Sequence, residues 1–598
     1  MKNKLQLVFF VNLLLFVVNQ AYTIDNNNWP DKVSPELIMR FEKVEKENFL
    51  VYMNDQIKVP EINDKKEVKA EKAYRMLLKN LETQEDIISM LTKGKYEFKR
   101  FFIVNAILVY GDRKLLVSLA SRNDVSYISH DFAAAGTFID PAIPVTAYSP
   151  EPTWGISMIR ADEVWEMGYR GQGIVVGGQD TGYDWKHPAL MKKYRGFKGD
   201  NNADHNYNWH DAIHEISPLN NDSLPSPQNN PCGLDSREPC DDGSHGTHTM
   251  GTIAGSTDTM LIGVAPESRW IGCRNMERGW GKPSTYIECF EWFMAPTDLE
   301  GKNPDPGKAP DVINNSWGCP EIEGCDPGNW NIMETALNNL RASGVFVVVS
   351  AGNSGINNCG SINDPAAMYE KAFTVGATRE RFDTVLNVSY DTIASYSSRG
   401  PVIIDGSFRL KPDISAPGSK VLSSVPRNKY AYSNGTSMAG PHVTGVVALL
   451  LSANPELRGN TDKIEEILKS TADPKPETDN CTGVIEKLVP NTIFGYGRIN
   501  AMAAVNKALE IKTSVEPDRK TIKNYEAIPN PSSDRIKING INNLSETKVC
   551  IIDRFGKEII THHGLSSNEI QLGKLKSGLY FIKIIEEGAV EVIKIVKR

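Results

Sequence analysis

No Cys-x-x-Cys spacing, no long basic run, no internal repeat and no low-complexity tract occur in the chain. The first absence argues against a zinc ribbon, which needs paired thiolates at that spacing. The second argues against nucleic-acid binding, which needs a concentrated Lys/Arg footprint. The net charge is −8, from 66 basic and 74 acidic residues. The only segment that could be membranous is the apolar run Leu5–Val18, broken by Asn12 and preceded by Lys2 and Lys4. It is too short for a spanning helix and has the basic flank of a signal peptide. Cleavage is expected near Ala21; the alternative is an uncleaved anchor.

What is present describes a globular protein: 40% hydrophobic and 23% charged residues. At about 100–200 residues per domain, the 598 residues correspond to roughly three to five units. Nine cysteines behind a signal peptide suggest disulfides with at least one thiol left over. Cys232/Cys240, Cys273/Cys289 and Cys319/Cys325 are close enough in sequence to bridge locally; Cys359, Cys481 and Cys550 complete the set.

The patterning changes twice along the chain. Residues 22–131 mix strand-like runs (Phe49–Met53, Val125–Ile128) and a long apolar run (Phe101–Tyr110) with helical ones (Val68–Leu91, Lys114–Ala120), which predicts a small α+β unit. Residues 132–149, rich in Ala and Pro, read as an exposed linker. From 150 to 510 the apolar runs Gly173–Gln179, Asp311–Ser316 and Val345–Ser350 alternate with helical stretches at Tyr286–Met294, Asn331–Ala342 and Met438–Leu451. Such runs predict an α/β fold, a doubly wound parallel sheet covered on both faces, with function gathered at the carboxyl ends of its strands. A polar linker at 511–524 leads to 525–598. There, short alternating strands separated by Asn/Gly/Ser turns predict a small antiparallel β-sandwich.

Four places in the α/β region carry chemistry. Asp180-Thr181-Gly182 puts a carboxylate at a strand end, where it can orient a histidine; the same tripeptide is also the active loop of aspartic proteases. His245 lies in Asp241-Asp242-Gly243-Ser244-His245-Gly246-Thr247-His248, among small residues that leave room for a substrate beside a group titrating near pH ~6.5. His245 and His248 could instead pair on a metal, or be structural. Ser437, in Gly435-Thr436-Ser437-Met438-Ala439, opens an apolar helix whose N–H groups favour negative charge; a plain N-cap serine would do the same locally. Asn353, in Ala351-Gly352-Asn353-Ser354-Gly355, could donate to an oxyanion or simply occupy a turn.

Together these strings, with Asn315-Ser316-Trp317-Gly318, resemble the subtilisin-type serine proteases over about residues 150–510. Val175–Asp180 and Tyr286–Phe290 bring the chain nearest the bacillopeptidase F group within them. The resemblance implies that Ser437 is the nucleophile, His245 the general base, Asp180 its orienter and Asn353 an oxyanion donor. The order Asp…His…Ser is that of this family. It further implies that Ser316, Trp317 and Gly318, with Ser350, Ala351 and Gly352, bind extended substrate, and that Ile362–Ala366 helps form the pocket. No metal or cofactor is required for that chemistry. The family often holds structural calcium in a loop after the histidine helix; here the loop, Gly255–Leu261, is shorter and no ligand is assigned.

The flanking units fit the same picture. Residues 22–131 resemble a subtilase inhibitory propeptide, clearest at Phe101–Ala106, with a maturation site expected in 132–149. Residues 525–598 resemble the carboxy-terminal sorting domain of type IX secretion, through Pro529-Asn530-Pro531, Asp553–Lys557, Leu575–Phe581 and Lys594–Lys597; without that resemblance they would read as a generic binding module. The expected partners are protein or peptide substrates, the chain's own propeptide and the type IX machinery. The expected location is outside a Gram-negative cell or on its surface. The competing function is a catalytically silent surface or adhesion protein on the same scaffold.

Overall fold

Alternate residues of the central strands belong to two different apolar cores, which is why those strands read as unbroken hydrophobic runs. Val312, Phe346 and Val348 pack with Val443 and Val447 of the helix Thr436–Ala453. Ile313, Val347 and Val349 pack with Phe290 and Phe293 of the helix Pro283–Met294 and with Leu337 and Leu340 of the helix Trp330–Ala342. The structure is a computed structural model that describes residues 29–131, 143–144, 151–220, 229–357, 359–478, 487–513, 525–541, 543–553, 557–586 and 589–598. The central sheet runs Val388–Ile393, Phe373–Asp383, Phe346–Ser350, Val312–Asn315, Val175–Asp180, Arg269–Arg274, Trp209–Asp211, with Ile414–Pro417 also paired to Phe373–Asp383. All its pairings are parallel except that of Val388–Ile393.

The chain divides after Lys512 into two units. The signal segment 1–21 and most of 132–149 lie outside the described residues; Ile143–Pro144 forms a short strand paired with Tyr432 and Ala431. The linker expected from 511 begins later, because the helix Ala501–Thr513 continues to Thr513.

The α+β unit before residue 131 is a four-stranded antiparallel sheet in the order Glu97–Phe101, Ala106–Asp112, Lys46–Met53, Val125–His130. One expectation needs correction. Val68–Leu91 is not one helix but parts of three, Lys66–Leu77, Lys79–Thr83 and Glu85–Gly94. Asn80 and Gln84 at the breaks turn inward and donate to the carbonyls of Phe102 and Phe101 (2.9 and 3.0 Å), which reorients each turn. The long apolar run Phe101–Tyr110 is also divided. It contains the turn between two strands, and the turn is apolar because Ile103 and Val104 are buried in the core that holds Phe290 and Leu337.

This unit therefore does not stand apart from the α/β unit. One face of its sheet (Phe49, Val51, Val109) closes its own core, while the other (Leu50, Tyr52) joins that of the central sheet. Polar groups complete the seam. Glu291 accepts from the N–H groups of Phe102 and Ile103 (2.5 and 2.9 Å), and burial pushes its carboxyl up to about 7 despite them. Asn339 donates to the carbonyls of Ile57 and Ile103 (3.0 and 2.8 Å). Lys66, buried, reaches Asp311 at 2.7 Å, and Asp311 also takes Arg458 at 2.8 Å. Burial alone would raise the Asp311 carboxyl; the two cations outweigh it and hold it below the ordinary range.

The carboxy-terminal unit has a three-stranded sheet (Glu526–Ile528, Arg535–Asn539, Glu569–Gln571) and a four-stranded one (Glu558–His563, Lys548–Asp553, Gly578–Glu586, Ala589–Lys597), both antiparallel. Ile536, Ile538, Val549, Ile551, Ile582 and Ile584 form its core. All three locally expected disulfides are present, Cys359 is also bridged, and Cys550 is a buried free thiol.

Asp311→Ala should destabilise the intact chain by about 3–5 kcal/mol, since it strands a buried ammonium. Asp305→Ala, whose partner Lys308 is 43% exposed, should stay within about 1 kcal/mol. Chemical denaturation of both variants checks this, and equal midpoints would overturn the role given to the buried pair.

Candidate active site

The site lies at the carboxyl edge of the parallel sheet. The strand Val175–Asp180 delivers Asp180 there and the chain turns at once through Thr181-Gly182. Gly182 has φ +103°, and a Cβ on it would sit 1.7 Å from the Cys240 carbonyl oxygen. Gly246 meets the same turn from the other side: its Cβ would be 2.0 Å from the Gly182 carbonyl oxygen and 3.1 Å from the Asp180 Cβ. Glycine at both positions lets the helix His245–Ala254 begin against the end of the strand.

With that approach made, His245 Nδ1 donates to Asp180 Oδ1 at 2.8 Å. The second carboxylate oxygen accepts from the Thr249 hydroxyl at 3.3 Å, one helical turn on, and Oδ1 also accepts the Thr181 N–H at 2.8 Å. Asp180 is buried, while His245 keeps 21% of its side chain exposed. Burial alone would depress the imidazole. The charge and hydrogen bond of Asp180 outweigh it, with Asp241 acting in the same sense, and hold His245 above its ordinary value. The bond to an imidazole also distinguishes this Asp-Thr-Gly from the aspartic-protease loop.

Ser437 is the second residue of the helix Thr436–Ala453. Its hydroxyl donates to the Ser316 carbonyl at 3.2 Å and not to His245, and its own carbonyl accepts from the Ser316 hydroxyl at 2.9 Å. Asn353 is joined to the same turn: its Oδ1 accepts the Thr436 N–H (2.9 Å) and the Thr436 hydroxyl (3.1 Å). Its Nδ2 has no hydrogen-bond partner among the described residues and lies 3.4 Å from where a Cβ on Gly435 would be. The Thr436 hydroxyl accepts the Gly352 N–H (3.1 Å), the Thr436 carbonyl accepts from Ser350 (2.9 Å), and the Ala351 N–H donates to Val375 (3.0 Å).

Trp317 is turned into the protein, stacked on Tyr286 with centroids 3.9 Å apart and planes 12° from parallel. The Tyr286 hydroxyl donates to Glu323 at 2.6 Å, and burial pushes that carboxyl up to about 8. Ile362–Ala366 lies against the next residues: the Cys319 N–H donates to the Pro365 carbonyl at 2.8 Å, and a Cβ on Gly318 would be 3.4 Å from the Asp364 Cβ.

Two residues escaped sequence reasoning. Asp241 accepts from the Thr181 hydroxyl (2.8 Å), the Gly243 and Ser244 N–H groups (2.9 and 2.8 Å), and the Thr247 N–H and hydroxyl (2.9 and 2.5 Å). One carboxylate thus ties the Asp180 turn to the first turn of the His245 helix. Its only sequence signal is an acid four residues before the histidine. Thr436 is the other, visible only as the residue before Ser437. His248 is structural. Its Nε2 lies 3.1 and 3.2 Å from the Val421 and Ala431 carbonyls, and burial lowers it to about 3, with the His245 charge acting in the same direction. The one group of three clustered metal-ligating side chains among the described residues, Glu36, His130 and Asp326, includes none of the residues expected at the site.

NMR titration should find His245 still protonated above pH ~6.5, and Asp180→Asn should bring its midpoint down. Because the folded value is raised, the pair's contribution to stability is full below pH ~6.5 and is lost as pH rises through the folded value. A midpoint that the variant leaves unmoved would sink the pairing.

Residues 171–497 match the model of the Subtilase family, and residues 526–598 match that of the Secretion system C-terminal sorting domain. Bacillopeptidase F of Bacillus subtilis (strain 168) is 33% identical over 513 residues, covering 80% of this chain and 32% of the relative. The chain thus spans about a third of that protein's length. Subtilisin E of the same strain is 29% identical over 424 residues, covering 70% of this chain and 85% of the relative. The sorting domain places the protein outside the cell or on its surface. With the paired Asp180 and His245, Ser437 on its helix and a family match over most of the α/β unit, the chain belongs to the subtilase family of serine proteases.

Proposed function

We propose that this chain is a secreted serine endopeptidase that hydrolyses peptide bonds in proteins through an acyl-enzyme intermediate, made as a precursor that processes itself. The observation that carries this reading is the 2.8 Å bond from His245 Nδ1 to buried Asp180. It commits one ring nitrogen and leaves Nε2 as the base.

In the proposed reaction the Ser437 hydroxyl leaves the Ser316 carbonyl, turns to His245 Nε2, gives up its proton and attacks the substrate carbonyl. A loose nucleophile–base contact is usual before substrate binds. Asp180 fixes the tautomer and stabilises the imidazolium. Asn353 has its oxygen held by Thr436, so its NH₂ is the end free to donate; with the Ser437 N–H it stabilises the tetrahedral oxyanion. His245 then protonates the leaving amine, and water, activated by the same imidazole, hydrolyses the ester. Because Trp317 is buried, the Ser316–Gly318 segment offers substrate its main chain, and Ser350–Gly352 forms the opposite border. No metal or cofactor enters these steps.

Residues 22–131 act as the intramolecular inhibitor, and their extensive buried seam with the α/β unit supports that role. Cleavage in 132–149 releases them. The sorting domain's partner is the type IX machinery. A silent surface protein on this scaffold is the second reading, and a serine-reactive phosphonate discriminates: labelling at Ser437 supports the enzyme, and no labelling of matured protein favours the other.

Ser437→Ala should yield a precursor that has lost only its signal peptide, whereas the wild type should also lose everything up to the 132–149 linker. Intact mass after expression without other proteases decides it; equal cleavage in both would mean that another protease matures the chain. Asn353→Ala should fold normally and turn over ~10²–10³ more slowly, the loss known for the oxyanion carboxamide of subtilisin and taken from there. Equal kcat for variant and wild type on a peptide amide would remove Asn353 from the oxyanion site.

A further inference from the structure

The strand Phe373–Asp383 is longer than the sheet requires. Phe373–Val375 pair with the strand Phe346–Ser350, and Val375–Thr378 with Ile414–Pro417. Beyond that, up to Asp383, the strand pairs only with Val388–Ile393. The result is a two-stranded ribbon rising from the carboxyl end of a parallel strand, the edge where Ser350 and Asp180 also end their strands. Arg379 and Arg381 are two apart on this ribbon and so project from the same face. Both line a cavity of about 370 Å³, together with Lys420, Trp154, Tyr396 and Asn434.

The charge in this cavity is unbalanced. Three cations line it against one acid, Glu380, whose carboxylate accepts from the Ser389 hydroxyl at 3.0 Å. None of the three cations makes an ion pair among the described residues, and Arg379 Nε is buried with no hydrogen-bond partner. By contrast, the buried Arg341 pairs with Glu465 and Asp462, and the buried Arg274 with Asp211. Like charges held together without a counterion repel. A bound carboxylate would relieve that repulsion, and the guanidinium fork fits one bidentately.

The cavity also borders the segment that delivers Ser437. Asn434 Oδ1 accepts the Lys420 N–H at 2.9 Å, and the Tyr396 hydroxyl accepts the Gly435 N–H at 3.2 Å. Thr436 and Ser437 follow directly.

We infer that this cavity is a substrate subsite for an acidic side chain, so that the enzyme selects polypeptides with Asp or Glu at one position near the cut bond. This rests on the peptidase reading above. Arg379 and Arg381 bind that carboxylate, and Lys420 adds to the field that attracts it.

Two measurements test it. In the first, matured enzyme from the full chain cleaves carboxy-amidated, internally quenched peptides that carry Glu, Gln or Lys at each of four positions on either side of the bond. Amidation removes the terminal carboxylate as a rival ligand. One position should favour Glu over Gln by at least about tenfold in kcat/KM. The ratio should fall with added salt, and Arg379→Glu should turn it in favour of Lys. If Arg379→Glu does not fold, Arg381→Gln should still lower the Glu/Gln ratio. Indifference to Glu against Gln at all positions, or a ratio unmoved by either variant, overturns the inference. In the second, calorimetry on the Ser437→Ala full chain should find that N-acetyl-glutamyl amide binds and N-acetyl-glutaminyl amide does not, with binding lost in Arg381→Gln. Binding without phosphonate labelling of the wild type would keep the subsite and sink the peptidase reading. Labelling with neither binding nor preference would sink the subsite alone.

Discussion

The site depends on how closely a strand end can approach a helix start. A 2.8 Å bond between Asp180 and His245 requires the Asp180–Gly182 turn and the first helical turn to be nearer than two ordinary side chains permit. Gly182 and Gly246 remove the obstructing atoms, and each would collide with backbone if it carried a Cβ. Absence of a clash does not by itself hold two segments together. Asp241 does that, gathering donors from Thr181 on one side and from Gly243, Ser244 and Thr247 on the other. The carboxylate also sits where the helix presents unpaired N–H groups, so its charge and the helix dipole act together.

A second junction is built on the same plan around Thr436. Its N–H, hydroxyl and carbonyl are all engaged, by Asn353, Gly352 and Ser350. Ser437, on its helix, and Asn353 are more than eighty residues apart in sequence, yet their relative position is set through a single intervening residue. The two junctions are carried by parallel strands on either side of Val312–Asn315, so the rigidity of the sheet fixes the distance between them. The seam with residues 29–131 lies on the side of the sheet covered by Pro283–Met294 and Trp330–Ala342. Its apolar part is continuous with the α/β core, and its polar part places Lys66, Asp311 and Glu291 out of water. Separating the two units would expose both kinds of surface.

The elements of the α/β unit were legible because their hydrophobic pattern is simple. Phe346–Ser350 is buried on both faces, and Thr436–Ala453 is apolar all round. Legibility failed where apolar residues served a partner unit and not their own element. Ile103 and Val104 look like strand residues but sit in a turn that inserts into a neighbouring core. Val68–Leu91 reads as one helix because the inward turns at Asn80 and Gln84 are satisfied by the Phe102 and Phe101 carbonyls, which no local pattern reveals.

Residue types and their order, by themselves, singled out the candidate groups: a carboxylate, an imidazole, a carboxamide and a hydroxyl, each flanked by small residues that admit close contact. Local pattern also determined the parallel sheet and the strand-rich tail. Only the tertiary structure decided what each group faces. It turned the Ser437 hydroxyl to the Ser316 carbonyl, made His248 structural and His245 accessible, gave Asp241 its clamp, and left Arg379 and Arg381 beside one cavity with no counterion among the described residues. The reason is physical. Chemical identity and periodicity are local properties of the chain, whereas a hydrogen-bond partner or an unbalanced charge depends on segments brought together by burial of surfaces distant in sequence.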